Sequence, residues 1–291
     1  MEFAHKFIEG NFKKAVFLLV LFFVLDILVL WQINGGDAAN GKLSLYFLPV
    51  GQGDSELAML PGGAKLLIDG GPPDSLVLKN LDEILSPRDR YIDLVVLTHP
   101  QQDHFGGLIE ILKRYKVGAF IWNGEVGTNP AMNDLLAAVG ENKIPLVSLA
   151  AGDRIIYGES DINVLSPVVG GKVDINEDAL VLALQSGGTK TLFASDVGAK
   201  TEASILNSYS EPIDILKVGH HGSKFSSTAS FLSALKPKVA VIEVGKNSYG
   251  HPTPEVLNRL ADIGAKVFRT DQDGLIKFES IPGALQIFKI H

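Results

Sequence analysis

The sequence predicts an α/β (α+β) protein of four layers, two β-sheets face to face with helices on both outer faces, preceded by one transmembrane helix. Three observations predict it. Short apolar strand patterns fall into two groups with helical patterns after each, the arrangement that buries two sheets against one another and covers their outer faces. Five of the seven histidines lie in three motifs, each directly after a strand pattern: Thr98-His99-Pro100-Gln101-Gln102-Asp103-His104, Gly219-His220-His221-Gly222-Ser223 and Tyr249-Gly250-His251-Pro252. Residues 15–31 are apolar throughout except for Asp26.

Fourteen residues of that apolar run are Val, Leu, Ile or Phe. Their summed insertion energy, about −4 to −8 kcal/mol, exceeds the roughly 2.5–3.5 kcal/mol that Asp26 opposes to it. Lys13 and Lys14 precede the run and place residues 1–14 in the cytoplasm by the positive-inside rule. Residues 15–33 are therefore expected to anchor the chain in the cytoplasmic membrane as a single pass. Residues 34–41 would be a linker and residues 42–291 an extracytoplasmic domain. A cleaved signal peptide, with Gly36-Asp37-Ala38 as its small-x-small site, is the competing reading.

From residue 43 the pattern is a meander of three strands (Leu43–Pro49, Ser55–Leu60, Ala64–Ile68) with Pro61-Gly62-Gly63 as its second turn. Ile92–Thr98 is a buried-type strand rich in Val, Leu and Ile, and Phe105–Tyr115 follows with helical spacing. A strand near Ala119–Trp122, a helix near Pro130–Val139 and a strand at Ile144–Ser148 close the first group. The second comprises strands at Ile155–Tyr157, Ile162–Leu165, Leu180–Gln185, Thr191–Ala194, Ile213–Val218, Val239–Val244 and Lys266–Thr270. Helices near Ala199–Ser208, Ser227–Leu235 and Pro254–Ile263 separate the later ones, and two more strands fall between Gly274 and Ile290.

The 46 % apolar and 20 % charged composition excludes disorder and coiled coil over most of the length. With no cysteine, a metal must be held by nitrogen and oxygen. The net charge of −7 has the wrong sign for wide-surface nucleic-acid binding, but bound cations would reverse the field locally. Imidazole and carboxylate at strand ends suit hydrolytic zinc or manganese and leave room for water. Asp196, at the end of Thr191–Ser195, needs a cation or donors if buried, or else caps the following helix. His220 and His221 would point to opposite sides of an extended chain, and the flanking Gly219 and Gly222 allow a turn that brings both to one centre.

The motifs resemble, in order and wording, the metallo-β-lactamase fold superfamily, and most of all the metallo-hydrolase domain of bacterial DNA-internalisation (competence) proteins. The matching stretches are residues 50–55 (Val-Gly-Gln-Gly-Asp-Ser), 67–71, 98–107, 192–197, 216–223 and 247–252. The resemblance implies an αββα sandwich and one or two divalent ions, Mn or Zn. It implies ligation by His99, Asp103, His104, Asp196 and one of His220 and His221, with His221 favoured. Asp103 and His251 would be catalytic, His251 acting on a substrate oxyanion or as proton donor. Asp69 would orient a ligating histidine, though a turn residue ahead of Gly70-Gly71 reads the same way. Gln52 and Asp54, in a glycine-bracketed turn, would line the mouth, and Tyr249 and Asn247 would contact substrate or support the ligands from behind. Gln101 stands where competence-type members carry aspartate, so the ion shared by His99 and Gln101 should bind weakly or not at all. No histidine occurs at residues 176–182, where other branches place a further ligand for that ion, and Asn176 and Asp178 are expected to be structural.

The function implied is a membrane-anchored phosphodiesterase or nuclease acting on DNA in its uptake, alongside a separate membrane channel. A catalytically degenerate binding module in an envelope or DNA-uptake assembly, and a hydrolase of small esters or lactones, are the alternatives.

Overall fold

The computed structural model describes residues 41–168, 170, 174–281 and 283–290. Lys42–His291 form one compact unit. The anchor expected at residues 15–33 lies outside the described residues, and among those no helix is long and apolar enough to cross a membrane.

The first sheet contains β1 (Ser44–Phe47), β2 (Glu56–Met59), β3 (Lys65–Ile68), β4 (Tyr91–Leu97), β5 (Lys116–Trp122) and β6 (Leu146–Ser148), joined at its other edge by β14 (Leu275–Ile281) and β15 (Ala284–Ile290). Its order is β15-β14-β1-β2-β3-β4-β5-β6. The second contains β7 (Arg154–Tyr157), β8 (Ser160–Ser166), β9 (Val181–Ser186), β10 (Thr189–Phe193), β11 (Ile215–Lys217), β12 (Val239–Ile242) and β13 (Lys266–Arg269), in the order β13-β12-β11-β10-β9-β8-β7. The helices are α1 (Leu76–Ile84), α2 (Gln102–Phe105), α3 (Leu108–Arg114), α4 (Ala131–Glu141), α5 (Ala199–Ile205), α6 (Ala229–Leu235), α7 (Pro254–Asp262) and α8 (Thr270–Asp273).

Alternation along the strands explains the layers. Leu45 and Phe47 of β1 point between the sheets, where Phe47 stacks on Phe193 of β10 with ring centres 6.2 Å apart. Tyr46 and Leu48 point outward, into the layer that Val77 and Leu81 of α1, Ile111 of α3 and Leu135 of α4 complete. On the other side Leu192, Leu216 and Ala240 pack against Phe231 of α6 and Val256 and Leu260 of α7. The four-layer expectation agrees with this.

Two departures are instructive. The helix expected over Phe105–Tyr115 breaks into α2 and α3 at Gly106-Gly107. A side chain at Gly107 would run into the carbonyl of Gly70, and one at Gly106 into Pro73. The break lets Gly70 N donate to His104 O at 2.6 Å, tying α2 to the end of β3. Helices α1 and α8 have no counterpart among the expected elements. Helix α1 begins where the Asp74 carboxylate accepts from Leu76 N at 2.9 Å, and it buries Val77, Leu78 and Leu81 as its apolar stripe.

Strands β3 to β6 are mutually parallel, as are β10 to β13. The carboxyl ends of β3 and β4 and those of β10, β11 and β12 meet at one end of the sandwich, the usual place for a site in open parallel sheets. Every histidine motif leaves a strand there.

Candidate metal centre

Each candidate ligand is set by a short irregular stretch at a strand end. After β4, Thr98 and His99 continue the strand and α2 then turns Asp103 and His104 back over it. After β10, Ser195 has φ of 48° and delivers Asp196 inward. After β11, Gly219–Gly222 forms a tight turn in which His220 and His221 have φ of 50° and 52°. Left-handed backbone at two adjacent non-glycine residues costs roughly 1–2 kcal/mol each. It brings both rings to one carboxylate: His220 Nε2 and His221 Nε2 lie 3.8 and 3.5 Å from Asp196 Oδ2. The turn expected from the flanking glycines is made by the two histidines together with Gly222, whose φ is 83°.

The hydrogen bonds assign the imidazole nitrogens. His104 Nδ1 donates to Asp69 Oδ2 at 2.7 Å, and His221 Nδ1 donates to the carbonyl of Glu243 at 3.0 Å. Thr98 Oγ1 donates to Asp69 at 2.6 Å and accepts from Ser195 Oγ at 2.9 Å, so at 3.0 Å His99 Nδ1 must donate to it. In all three rings Nε2 is left with its lone pair exposed, buried and without a hydrogen-bond partner. Orphaned buried nitrogens of this kind are costly unless something binds them.

Their surroundings are anionic. His104 Nε2 lies 3.5 Å from Asp196 Oδ2, and His221 Nε2 lies 3.4 Å from Asp103 Oδ2. Donors about 2.1 Å from a tetrahedral ion are about 3.4 Å from each other. The trio Asp103, His104 and His221, with Asp196 Oδ2 beside both imidazoles, therefore suits one divalent cation in its chemistry and in the spacing of these contacts. Charge agrees with this. Burial opposes a charge on His221, yet Asp196 and Asp54 outweigh it and push the ring up to about 10. Burial likewise opposes a charge on His104, and Asp196 and Asp69 hold it well above the ordinary range. The site attracts positive charge, and without an ion protons supply it. His99 differs: burial and the neighbouring His104 push it down to about 3, so it is neutral.

Asp69 is fully buried, held by Thr98 N at 2.8 Å as well as by Thr98 Oγ1, and its contact with His104 Nδ1 is the orienting one that the resemblance implies. Asp69→Asn should keep the fold and weaken metal binding about 10–100-fold, measured by competition with a chromophoric chelator.

A cavity of about 420 Å³ opens over these groups, lined in part by Gln52, Gln101, Asn176, His220, Tyr249 and His251. His251 packs on His220 with ring centres 5.7 Å apart and has a partnerless Nδ1; burial and the positive field of His220 lower its pKa. A neutral ring suits the first of the two roles expected here, a hydrogen bond to a substrate oxyanion, better than the second, proton donation. Three expectations are corrected. Asp54 does not line the mouth but lies beneath the centre, 1 % exposed and salt-bridged to Lys217. Asn247 is spent on its own loop, donating to Gly245 O and His251 O at 2.9 Å and accepting from Tyr249 N and His251 N. Asn176, expected to be structural, faces the cavity and accepts a hydrogen bond from the Gln101 amide.

Lys217, Glu56 and Glu243 were not anticipated. Lys217 is fully buried, donates to Ser195 O at 3.1 Å and lies 3.8 Å from Asp196 Oδ1. Alternation points Lys217 and Glu56 between the sheets, opposite Leu216 and Leu57. The available signal was a single charge at the site end of each apolar strand. Burial raises the Glu56 carboxyl to about 8, and burial with Glu56 and Asp54 nearby raises Glu243 well above its usual range. A carboxyl raised in the folded state binds its proton more tightly there, so its contribution is complete below about pH 4.5 and fades as pH climbs through about 8. Melting temperature measured in chelator should fall across that interval, and Glu56→Gln should flatten the slope.

The profile of the Metallo-beta-lactamase superfamily matches residues 57–245. The chain is 31 % identical over 304 residues to ComE operon protein 3 of Bacillus subtilis, covering 91 % of this chain and 39 % of that protein. It is 31 % identical over 192 residues to competence protein ComA of Neisseria gonorrhoeae (65 % and 25 %). It is 29 % identical over 245 residues to recombination protein 2 of Haemophilus influenzae (82 % and 29 %). The chain thus spans between a quarter and two fifths of these relatives' lengths. Among solved structures, the metallo-beta-lactamase fold protein YhfI of Bacillus subtilis superposes with a TM-score of 0.56 at 10 % identity, covering 81 % of this chain and 99 % of that one. CmlA, a diiron beta-hydroxylase of Streptomyces venezuelae, does so with 0.53 at 15 % identity, covering 85 % and 54 %. The structural likenesses concern the fold alone.

Proposed function

The chain belongs to the metallo-beta-lactamase superfamily, and from that premise we propose that it is a phosphodiesterase that cuts DNA outside the cytoplasmic membrane. An anchor at residues 15–33 would hold it there, beside a separate channel through which DNA passes. Its similarity to a relative named as a competence protein supports the link to DNA uptake. The observation that carries the hydrolytic reading is the convergence of Asp103, His104, Asp196 and His221, with both imidazole Nε2 atoms free, under one open cavity.

Those four residues would hold the ion, Mn or Zn. When bound, a divalent cation lowers the pKa of water toward neutrality and supplies the nucleophile. The protein does the rest. Asp69 and the Glu243 carbonyl fix the tautomers of His104 and His221. His251, neutral and with Nδ1 unspent, offers a hydrogen bond to a phosphate oxygen above the centre. His220, with its side chain 31 % exposed, faces the same space.

Labelled single-stranded DNA incubated with the purified protein and each metal tests the proposal. Cleavage should require the metal and disappear in His104→Ala; equal cleavage by that variant, or none by the wild type, rejects it. The Gln101–Asn176 pair favours a second reading, a binding module whose catalysis has lapsed. That reading gains if metal binds and DNA is held but not cut.

A further inference from the structure

We infer that this centre takes one divalent ion, not two, and that the amide pair Gln101–Asn176 closes the outer position. Two ligand trios converge here, His99-His104-Asp196 and Asp103-His104-His221, and both depend on His104. With Nδ1 committed to Asp69, His104 has one lone pair, on Nε2, and a lone pair serves one ion. The second trio gains Asp196 Oδ2, which lies 3.5 Å from both His104 Nε2 and His221 Nε2, and so becomes a set of four.

The first trio, deprived of His104, keeps His99, whose orphaned Nε2 is then a polar cost the site carries, and whatever Asp196 can spare. Asp196 can spare little. Its Oδ2 faces the histidines, while Oδ1 faces the Lys217 ammonium at 3.8 Å, a cation fixed in place by Asp54 and by Ser195 O. A carboxylate bridges two ions through its two oxygens, and here Oδ1, which makes no hydrogen bond, already faces a fixed buried cation that would repel a second ion. Of the side chains near His99, the Asp103 and Asp54 carboxylates are engaged by His221 and Lys217, and Gln101 and Asn176 are neutral amides. Gln101 donates its amide hydrogen to Asn176 Oδ1, which uses the oxygen that Asn176 could offer a metal. An outer ion would find one imidazole and amides, too poor a set for retention. Stabilisation of a second phosphate oxygen then falls to hydrogen-bond donors around the cavity, Gln101, Asn176 and His251 among them. The inference rests on the metal centre of the proposed hydrolase and not on its substrate, so a metal count tests it whether or not DNA is cut.

The protein, stripped with chelator, reloaded with excess manganese or zinc and desalted, should retain about one ion per chain by elemental analysis. Its manganese form should give the electron paramagnetic resonance spectrum of an isolated ion. His99→Ala should keep the ion and His104→Ala should lose it, while Gln101→Asp with Asn176→Asp should retain a second. Two tightly held ions or an exchange-coupled spectrum in the wild type would overturn the inference, and so would loss of the ion in His99→Ala. A double variant that folds and stays at one ion refutes the role given to the amide pair. A wild type that retains no ion removes the centre itself and the proposed function with it. The wild-type count and spectrum need no variant to fold.

Discussion

Replacing Lys217 by methionine should destabilise the protein by about 3–5 kcal/mol, among the largest effects of any single substitution here. Methionine matches the length of the lysine stem, so packing is nearly conserved and the loss is electrostatic. Lys217 is fully buried, and its ammonium neutralises Asp54, which is also buried, and faces Asp196. Without it, Asp54 retains only imidazole contacts as compensation, His221 Nδ1 at 3.2 Å and His104 Nδ1 at 3.8 Å. A buried charge stripped of its partner is far worse than the pair is good. The double variant Lys217→Met/Asp54→Asn should therefore recover most of the loss. Urea midpoints of the two variants and the wild type provide the measurement. Equal midpoints for the single and double variants would show that the pair does not act as a unit.

Asp196→Asn should abolish metal retention and reduce hydrolysis by more than the 10–100-fold expected for loss of an orienting partner such as Asp69. The substitution is isosteric and the site is rigid, so the fold should persist. Asp196 Oδ2 is the point on which His104, His220 and His221 converge, and an amide there offers a weaker oxygen and no charge. At a metal concentration about 100 times Kd, the wild type should gain about 2.7 kcal/mol of stability on binding, and the variant none. Thermal shift with and without metal separates this from general unfolding. Without the ion, His221 should also titrate lower in the variant, because Asp196 is the main group that holds it up. Nuclear magnetic resonance of the imidazole would show it.

Much of the architecture was legible because period-2 and period-3.6 patterns are local. Strands β1 to β5 and β8 to β12 fall where alternation or buried runs place them, within a few residues. The helix over residues 105–115 misled, because its apolar spacing continues through Gly106-Gly107 while the close approach of Gly70 does not appear in the pattern. The histidine motifs stand out because imidazoles are few and gather at strand ends, whereas the ligand set with Asp103 and Asp196 came from the family resemblance. Asn247 and Asp54 were misplaced for a shared reason. Each sits in a motif that faces the site, yet a side chain in a tight loop often serves the loop or the layer below it. Asn176 reads as structural because an isolated amide in a loop carries no pattern that points it to a cavity.

What the sequence by itself determined is which donors exist and at which strand ends they stand: two carboxylates and a handful of imidazoles, with no thiolate to compete. Tertiary structure alone decided which lone pairs are free, because that depends on partners such as Asp69, the Glu243 carbonyl and Thr98 occupying the opposite nitrogens. It also decided the charge beneath the centre, where Lys217 meets Asp54 from 163 residues away. Periodicity records how each strand faces. It holds no record of which strand from the other sheet arrives opposite, and electrostatic interaction falls off with distance in space rather than along the chain.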